Sequence, residues 1–251
     1  MTPVCASPRL RERLRTAPDG AVPVVHRGRH AVYVDLDGWC VGLVAAGATA
    51  VPNALRSRST DLADFPGRSA HVHEGVLHLD DTPLVVGRAV DVSVPRLRSL
   101  GSTAHPAGST TGTIPPAPVV GSAVCVGASG LDAITVERLV GRGDGLTPLG
   151  DDVLCGWLAT HRAAGVLTPV VDAVVRALMP RTTLLSATLL DCALHGEVLP
   201  EFAAYLAALG TPAERRRAKD LEAVGHTSGA GLLYGADLAL TELRQNRGAA
   251  A

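Results

Sequence analysis

The sequence predicts an α+β protein in which a β-rich N-terminal part precedes a helical C-terminal part. The first hundred residues alternate short Val-rich segments with turn residues, and the segments after residue 118 repeat apolar residues at helical spacing. Gly, Ser, Thr, Pro and Ala dominate the stretch between these two parts. Strands first and helices afterwards are typical of the α+β class.

This division predicts three regions. Residues 1–100 form a β-rich domain, residues 101–118 a flexible linker, and residues 119–251 a helical domain that carries the motifs described below. The linker is expected to be flexible because its small and polar side chains cannot bury enough surface to offset their ordering entropy.

The N-terminal strands are expected to form a small antiparallel sheet with a barrel-like shape. Asp37-Gly38 and Glu74-Gly75 predict tight hairpin turns, since Gly adopts the positive φ that such turns require. The predicted strands are Val22–Val25, Ala31–Leu36, Trp39–Val44, Ala70–His73, Val76–Leu79 and Leu84–Val94.

The C-terminal helices are indicated by apolar residues at helical spacing, by Pro at several starts and by Gly after several ends. The predicted helices are Asp132–Val140, Asp151–Ala164, Pro169–Leu178, Ser186–His195, Pro200–Leu209, Pro212–Val224 and Ser228–Arg247.

Composition and charge argue against several classes of partner. The 251-residue chain has a formal net charge of −1, so no overall field attracts nucleic acid or a membrane surface. Gly and charged residues interrupt every apolar stretch before it reaches the roughly 20 residues of a membrane span. The five Cys residues are scattered without a CxxC pair, which favours a reducing compartment, so we expect a cytoplasmic protein.

Three segments place small polar residues at the start of a predicted helix. We call them the first motif (Gly141–Asp152), the second motif (Thr182–Thr188) and the third motif (Gly225–Gly231). The predicted substrate-binding residues in them are Gly143, Gly145, Thr147, Gly150, Thr182, Thr183, Ser186, Thr188, Thr227, Ser228 and Gly229.

The start of a helix has unpaired N–H groups and a partial positive charge, so three such segments meeting in space would bind a small anion. Phosphate, a carboxylate and carbamoyl phosphate are ligands of this kind. Each segment taken alone is also explained as a capped helix start, with Thr147-Pro148 as the cap of the first.

Asp151 and Asp152 are the predicted catalytic carboxyl groups, together with His226 as a proton donor or acceptor. Adjacent helical residues point about 100° apart, so one Asp is expected to face the pocket and the other to cap the helix or pair with an Arg. The pocket-facing one either coordinates Mg²⁺ or accepts a hydrogen bond from a substrate amide. The sequence does not distinguish the two, and Mg²⁺ is the only cofactor that it brings into consideration.

Two further groups of residues invite a functional interpretation. His71, His73 and His78 resemble a metal site, but a hairpin turn lies between the first two and the third, so we expect exposed strand histidines. Cys155 follows a helix start, where a thiol can be activated, but its apolar neighbours favour a place in the core.

The motifs resemble those of the AllH family. GLTPLGDDVLCGWLA at Gly145–Ala159 is similar to the GLTPxGDD signature of that family, and TTLLSAT and GHTSG match its second and third motifs in order. Two positions depart from the family pattern: Leu149 stands where the family usually has Ser, and Gly231 stands where it usually has Asp.

This resemblance implies a subunit of oxamate carbamoyltransferase in allantoin breakdown. The implied reaction transfers a carbamoyl group between oxamate and phosphate, with oxalurate and carbamoyl phosphate as the carbamoyl-bearing compounds. AllF- and AllG-like subunits are the implied partners. Two alternatives stay open, namely a non-catalytic subunit that binds a small anion or stabilises an assembly, and a Mg²⁺-dependent hydrolase.

Overall fold

The computed structural model describes residues 2–63, 65, 67–97 and 131–249. Contacts between Cα atoms divide the chain into two compact units, Met1–Val92 and Ser93–Ala251. Apart from one N-terminal helix, the strands belong to the first unit and the helices to the second, which confirms the α+β class. The linker expected at residues 101–118 lies outside the described residues, so the three-region division stays a prediction.

The first unit is built on a nine-stranded sheet and the helix α1 (Pro8–Thr16). Its strands are β1 (Thr2–Ala6), β2 (Gly20–Ala21), β3 (Val24–Arg27), β4 (Ala31–Asp35), β5 (Cys40–Val44), β6 (Ala54–Arg56), β7 (Ala70–His73), β8 (Val76–Leu79) and β9 (Thr82–Ala89).

The sheet is mixed, which corrects the expectation of a purely antiparallel one. Its strand order is β2-β7-β8-β9-β1-β6-β5-β4-β3. The β1–β9 and β5–β6 pairs are parallel, and the other neighbouring strands run antiparallel. β1 and β6 lie in the middle of the sheet, between β9 on one side and β5 on the other. Each forms one of the two parallel pairs, whereas the strands of the predicted hairpins pair antiparallel.

Four elements, β1, β2, β6 and α1, have no counterpart among the predicted ones. β6 has three residues, too few for a periodic pattern. The start of α1 has a local signal that went unused, since Ser7 caps it by accepting from the Leu10 amide and Pro8 follows as the first helical residue. Leu10 and Leu14 are the buried residues of this otherwise charged helix.

Both predicted hairpin turns are confirmed. The β4–β5 turn has φ of 51° at Asp37 and 75° at Gly38, and the β7–β8 turn has φ of 48° at Glu74 and 75° at Gly75. Two consecutive positive φ values are the mark of a type I′ turn, whose twist matches that of the flanking strands.

The elements assigned to the described residues of the second unit are α-helices and one short 3₁₀ segment, Met179–Arg181. Its helices are α2 (Ala133–Leu139), α3 (Leu149–Ala163), α4 (Pro169–Leu178), α5 (Leu184–Leu194), α6 (Pro200–Ala208), α7 (Glu214–Glu222) and α8 (Ser228–Ala249). None of the described helices combines the length and hydropathy that crossing a membrane requires.

α3 is the central helix of this unit. It is buried along nearly its whole length and packs against α8, α5 and α2. The packing of α3 against α8 is close because glycines remove side chains from the contact. A Cβ atom at Gly156 would lie 2.1 Å from the Leu232 carbonyl oxygen, and one at Gly235 would lie 2.0 Å from the Val153 carbonyl oxygen. The first motif leads into α3 and the third motif leads into α8, so this contact positions both.

Candidate functional site

Asp151 joins the first motif to the second. Its side chain is fully buried, and its Oδ1 accepts a hydrogen bond from the Gly141 amide at 2.8 Å. Its Oδ2 accepts from the Thr182 hydroxyl at 2.5 Å and from the Ser186 hydroxyl at 2.7 Å. Three hydrogen bonds compensate the burial of this carboxylate. Its partners are an amide and two hydroxyls rather than the Arg that the sequence analysis considered.

The first motif folds back on the start of α3. The Gly150 amide donates to the Arg142 carbonyl at 2.8 Å, and Gly141 has a φ of 71°. A Cβ atom at Gly141 would lie 2.7 Å from the Arg181 carbonyl oxygen, so glycine is what allows the first motif to approach the second this closely. α3 begins at Leu149 with Pro148 as its N-cap residue, which corrects the expected cap at Thr147.

Thr183 adds a second connection between these two motifs. It is the N-cap residue of α5, where its Oγ1 accepts from the Ser186 amide at 3.1 Å. The same hydroxyl donates to the Leu146 carbonyl at 2.5 Å. One side chain therefore caps a helix and holds the first motif.

The third motif reaches the first through a pair of hydroxyls. Thr147 Oγ1 and Ser228 Oγ lie 2.8 Å apart, and both side chains are half-buried. Ser228 is the first residue of α8 and also hydrogen-bonds the Asp152 carboxyl group. The three motifs, far apart in the sequence, thus meet around the starts of α3, α5 and α8.

Asp152 differs sharply from Asp151 in its surroundings. It is 4% exposed, and its Oδ2 has no hydrogen-bond partner among the described residues. Burial raises the pKa of Asp152 to about 8; the hydrogen bond from Ser228 opposes this rise and the charge of Asp151 adds to it. These surroundings therefore favour the neutral form of the carboxyl group.

Several amides of the motifs are already engaged within the chain. The amides of Asp151 and Asp152 donate to the Pro148 carbonyl. In the third motif the Gly229 amide donates to Val224 and the Gly231 amide donates to Thr227. The side chains, rather than these amides, are the groups that the cluster can offer to a ligand.

The remaining predicted site residues lie at different depths. Gly143, Gly145 and His226 are exposed, and Thr227 is half-buried. Thr188 is buried and its hydroxyl donates to the Leu184 carbonyl one turn earlier in α5. The exposed His226 follows Gly225 just before the start of α8, and its role as a proton donor or acceptor stays a prediction.

Gly150 and Gly229 have structural explanations in addition to the predicted binding role. A Cβ atom at Gly150 would lie 2.1 Å from the Leu139 carbonyl oxygen, and one at Gly229 would lie 1.9 Å from the Leu221 carbonyl oxygen. Both glycines therefore allow close backbone packing at a helix start.

The two departures from the family pattern are neighbours in space. A Cβ atom at Gly231 would lie 2.9 Å from Leu149 Cδ1 and 2.8 Å from Asp152 Cβ. Leu149 therefore occupies space that a side chain at position 231 would need. The two positions therefore adjoin each other beside Asp152, a proximity that the sequence alone does not indicate.

The histidines of the β7–β8 hairpin are closer together than the sequence analysis expected. The antiparallel register places His71 opposite His78, and their rings stack with centroids 4.5 Å apart. His73 is exposed and its ring centroid lies 6.4 Å from that of His78. The hairpin turn therefore brings His78 next to His71 and His73 instead of separating it from them. Within the described ranges, no three His, Cys, Asp or Glu residues are arranged to hold a metal ion.

Cys155 lies in the core, as its apolar neighbours predict. It is 7% exposed, and burial raises the pKa of its thiol well above the ordinary value, with the charges of Asp152 and Asp151 adding to the effect. A thiol in these surroundings is a packing residue rather than a nucleophile.

Two glycines that build the cluster are absent from the predicted binding residues: Gly141, which opens the first motif, and Gly235, which lies outside all three motifs. Gly141 donates its amide to Asp151, and its position just after a predicted helix end was a signal of positive φ. Gly235 follows Gly231 by four residues, so both lie on the face of α8 that contacts α3. The GxxxG spacing was visible in the sequence, but its partner helix was not.

Fold and cluster together define a two-unit α+β protein whose helical unit contains a buried, hydroxyl-rich carboxyl site. Residues 139–240, which include all three motifs, match the model of the family described as oxamate carbamoyltransferase subunit AllH. The match spans less than half of the 251-residue chain, and it confirms the predicted resemblance of this region to the AllH family. Neither a curated protein nor a solved structure matches the chain.

Proposed function

We propose that the chain is an AllH-type subunit related to oxamate carbamoyltransferase and that its motif cluster binds a small anionic substrate. Oxamate, oxalurate, carbamoyl phosphate and phosphate are the ligands that the family relationship implies. AllF- and AllG-like chains are the proposed partner subunits, because the matched family is described as one subunit of that enzyme.

One observation carries this proposal. All three motifs of the matched region meet at adjacent helix starts, through the Asp151 hydrogen bonds and the Thr147–Ser228 contact. The same place contains a buried carboxyl oxygen without a hydrogen-bond partner among the described residues, that of Asp152. Buried polar groups in proteins are nearly always satisfied, so an unsatisfied one at such a meeting point favours a ligand-binding role.

The residues divide into positioning and binding groups. Asp151 holds the second motif against the first. Both of its carboxyl oxygens already accept hydrogen bonds within the chain, so we assign it no contact with the substrate. Thr147 and Ser228 place hydroxyl groups at the start of α8, where the helix dipole favours the negative end of a substrate. Fixed donors of this kind would also stabilise negative charge developing on the transferred carbamoyl group.

The test is phosphorolysis of oxalurate by the purified chain together with AllF- and AllG-like partner subunits. We expect carbamoyl phosphate to form with the complete set, and Asp152→Leu to lower the rate at least tenfold. Asp220→Leu is the matched control, since Asp220 is exposed on α7 and pairs with the exposed Arg217 across one turn. Absence of turnover in the complete complex would remove the proposal.

A second candidate is a non-catalytic subunit in which the cluster only stabilises the fold. It is favoured by the internal hydrogen bonds of the motif amides, which leave fewer donors for a substrate than the sequence predicts. In that case the complex would turn over oxalurate equally well with wild-type chain and with the Asp152→Leu variant.

A further inference from the structure

Asp152 is a buried polar group whose Oδ2 has no hydrogen-bond partner among the described residues. Burying an acceptor without a partner is costly, and the neighbouring Asp151 shows that this fold can provide three hydrogen bonds to a buried carboxyl group. Asp152 Oδ2, next to Ser228 at the start of α8, is therefore the carboxyl oxygen of the Asp pair that is available to a ligand.

The surroundings of Asp152 decide what it can bind. Gly231 and Leu149 beside it are uncharged, no cation of the described residues lowers its pKa, and burial raises that pKa and so favours the neutral acid. A neutral carboxyl group offers one O–H donor and one C=O acceptor side by side. A primary amide offers the complementary pair, an N–H donor beside a C=O acceptor.

We infer that Asp152 is the ligand-contacting member of the Asp pair and that it recognises the primary amide or carbamoyl end of the substrate. This inference rests on the proposed function and specifies how that site distinguishes its substrate. The acid pairs with the amide through two hydrogen bonds, one donated by the Asp152 O–H and one accepted from the amide N–H.

The hydroxyls that lead from Asp152 toward the surface serve the other end of the ligand. Ser228 hydrogen-bonds Asp152, and Thr147 lies 2.8 Å from Ser228 next to the exposed Leu146. A ligand reaching Asp152 from this side replaces the Thr147–Ser228 contact with its own hydrogen bonds. Its anionic end then lies at the start of α8, so the ligand class is a short molecule with an amide at one end and a carboxylate or phosphate at the other.

Calorimetric titration of the full-length chain at pH 7 tests this directly with two isosteric probes. Oxamate and pyruvate have the same charge and shape, but pyruvate carries a methyl group where oxamate carries the amide nitrogen. We expect oxamate to bind at least tenfold more tightly than pyruvate. Asp152→Leu should abolish this preference, while Asp152→Asn should keep it, because an amide side chain also offers a donor and an acceptor. Asp220→Leu and Asp220→Asn are the matched controls, with circular dichroism to verify folding.

Two results would overturn the inference, namely equal affinity for both probes, including no binding of either, and an oxamate preference that survives Asp152→Leu. These results are separable from failure of the proposed function. If oxamate binds through Asp152 but the complex never transfers a carbamoyl group, the proposed enzyme role fails and amide recognition stands. If transfer proceeds and Asp152→Leu has no effect on it, the enzyme role stands and the inference fails.

Discussion

The carboxyl groups of Asp151 and Asp152 are adjacent in the chain and opposite in their hydrogen bonding. Asp151 accepts three hydrogen bonds, whereas Asp152 has an oxygen without a partner among the described residues. The sequence predicts that only one of the two adjacent carboxyl groups faces a pocket, because helical neighbours diverge by about 100°. Which of the two Asp residues this is depends on the positions of Thr182 and Ser186 relative to α3, and tertiary structure determines those positions.

Replacement of Asp152 by Asn should change how stability depends on pH. The folded pKa of Asp152 is about 8, against an ordinary value of 3.8, so the wild-type fold loses stability as pH rises from about 4 to about 8. Asn cannot ionise and does not lose stability in this way. The free energy of unfolding of the variant should therefore rise relative to that of wild type between pH 4 and pH 8, by at least about 1.4 kcal/mol, the equivalent of one pKa unit.

Urea denaturation of both proteins between pH 4 and pH 9 measures this difference. Among the described residues, Asp151 and the buried Cys155 interact electrostatically with Asp152, and both are common to the two proteins. Parallel stability curves for wild type and Asp152→Asn would show that Asp152 ionises normally in the folded chain.

Replacement of Asp151 by Ala should destabilise the helical unit strongly. The change leaves the Gly141 amide and the hydroxyls of Thr182 and Ser186 without their acceptor, at an expected cost of about 2–4 kcal/mol. Asp220→Ala, on the exposed face of α7, should stay within about 0.5 kcal/mol of wild type. Equal denaturation midpoints for the two variants would contradict the role of Asp151 as the connection between motifs.

Among the secondary-structure elements, the contact between α3 and α8 determines how the first and third motifs meet. Ala at Gly235 would place its Cβ 2.0 Å from the Val153 carbonyl oxygen, so the two helices would have to separate. We expect Gly235→Ala to lower the free energy of unfolding by about 1–3 kcal/mol or more. Thermal unfolding followed by circular dichroism measures the change.

The control lies on the same helix. Gly248 of α8 has nothing within 4 Å of an added Cβ, so Gly248→Ala should be neutral or stabilising by up to about 1 kcal/mol through helix propensity. Similar losses for both variants would mean that helix propensity, rather than close packing, explains the effect.

Leu149 and Gly231 should behave as a coupled pair across this contact. Gly231→Asp alone would crowd Leu149 Cδ1, while Leu149→Ser removes that crowding. The double variant should therefore be more stable than the sum of the two single changes predicts, by about 0.5–3 kcal/mol. A double-mutant cycle in urea measures this coupling, and additive effects would mean that the two positions do not compete for space.

Considered as a whole, the molecule was predictable where its signals are local. The α+β class, the type I′ turns at Gly38 and Gly75, and the order of the seven predicted helices follow from patterns within a few residues of each other. The family relationship of residues 139–240 was likewise visible in three short motifs.

What could not be predicted depends on contacts between distant segments. β1 pairs with β9 in parallel, and no pattern near residue 4 indicates that partner. The same holds for the site: the hydrogen bond between Thr147 and Ser228 and the unpaired oxygen of Asp152 exist only because α8 packs on α3.

A crystal structure of the full-length chain with oxamate tests the central claim most directly, namely that the three motifs build one ligand site around Asp152. The account predicts oxamate at the start of α8, with its amide against Asp152 Oδ2, its carboxylate near Thr147 and Ser228, and the Asp151 hydrogen bonds unchanged. Oxamate bound away from the three motifs, or a motif cluster that stays closed at saturating oxamate, would contradict it.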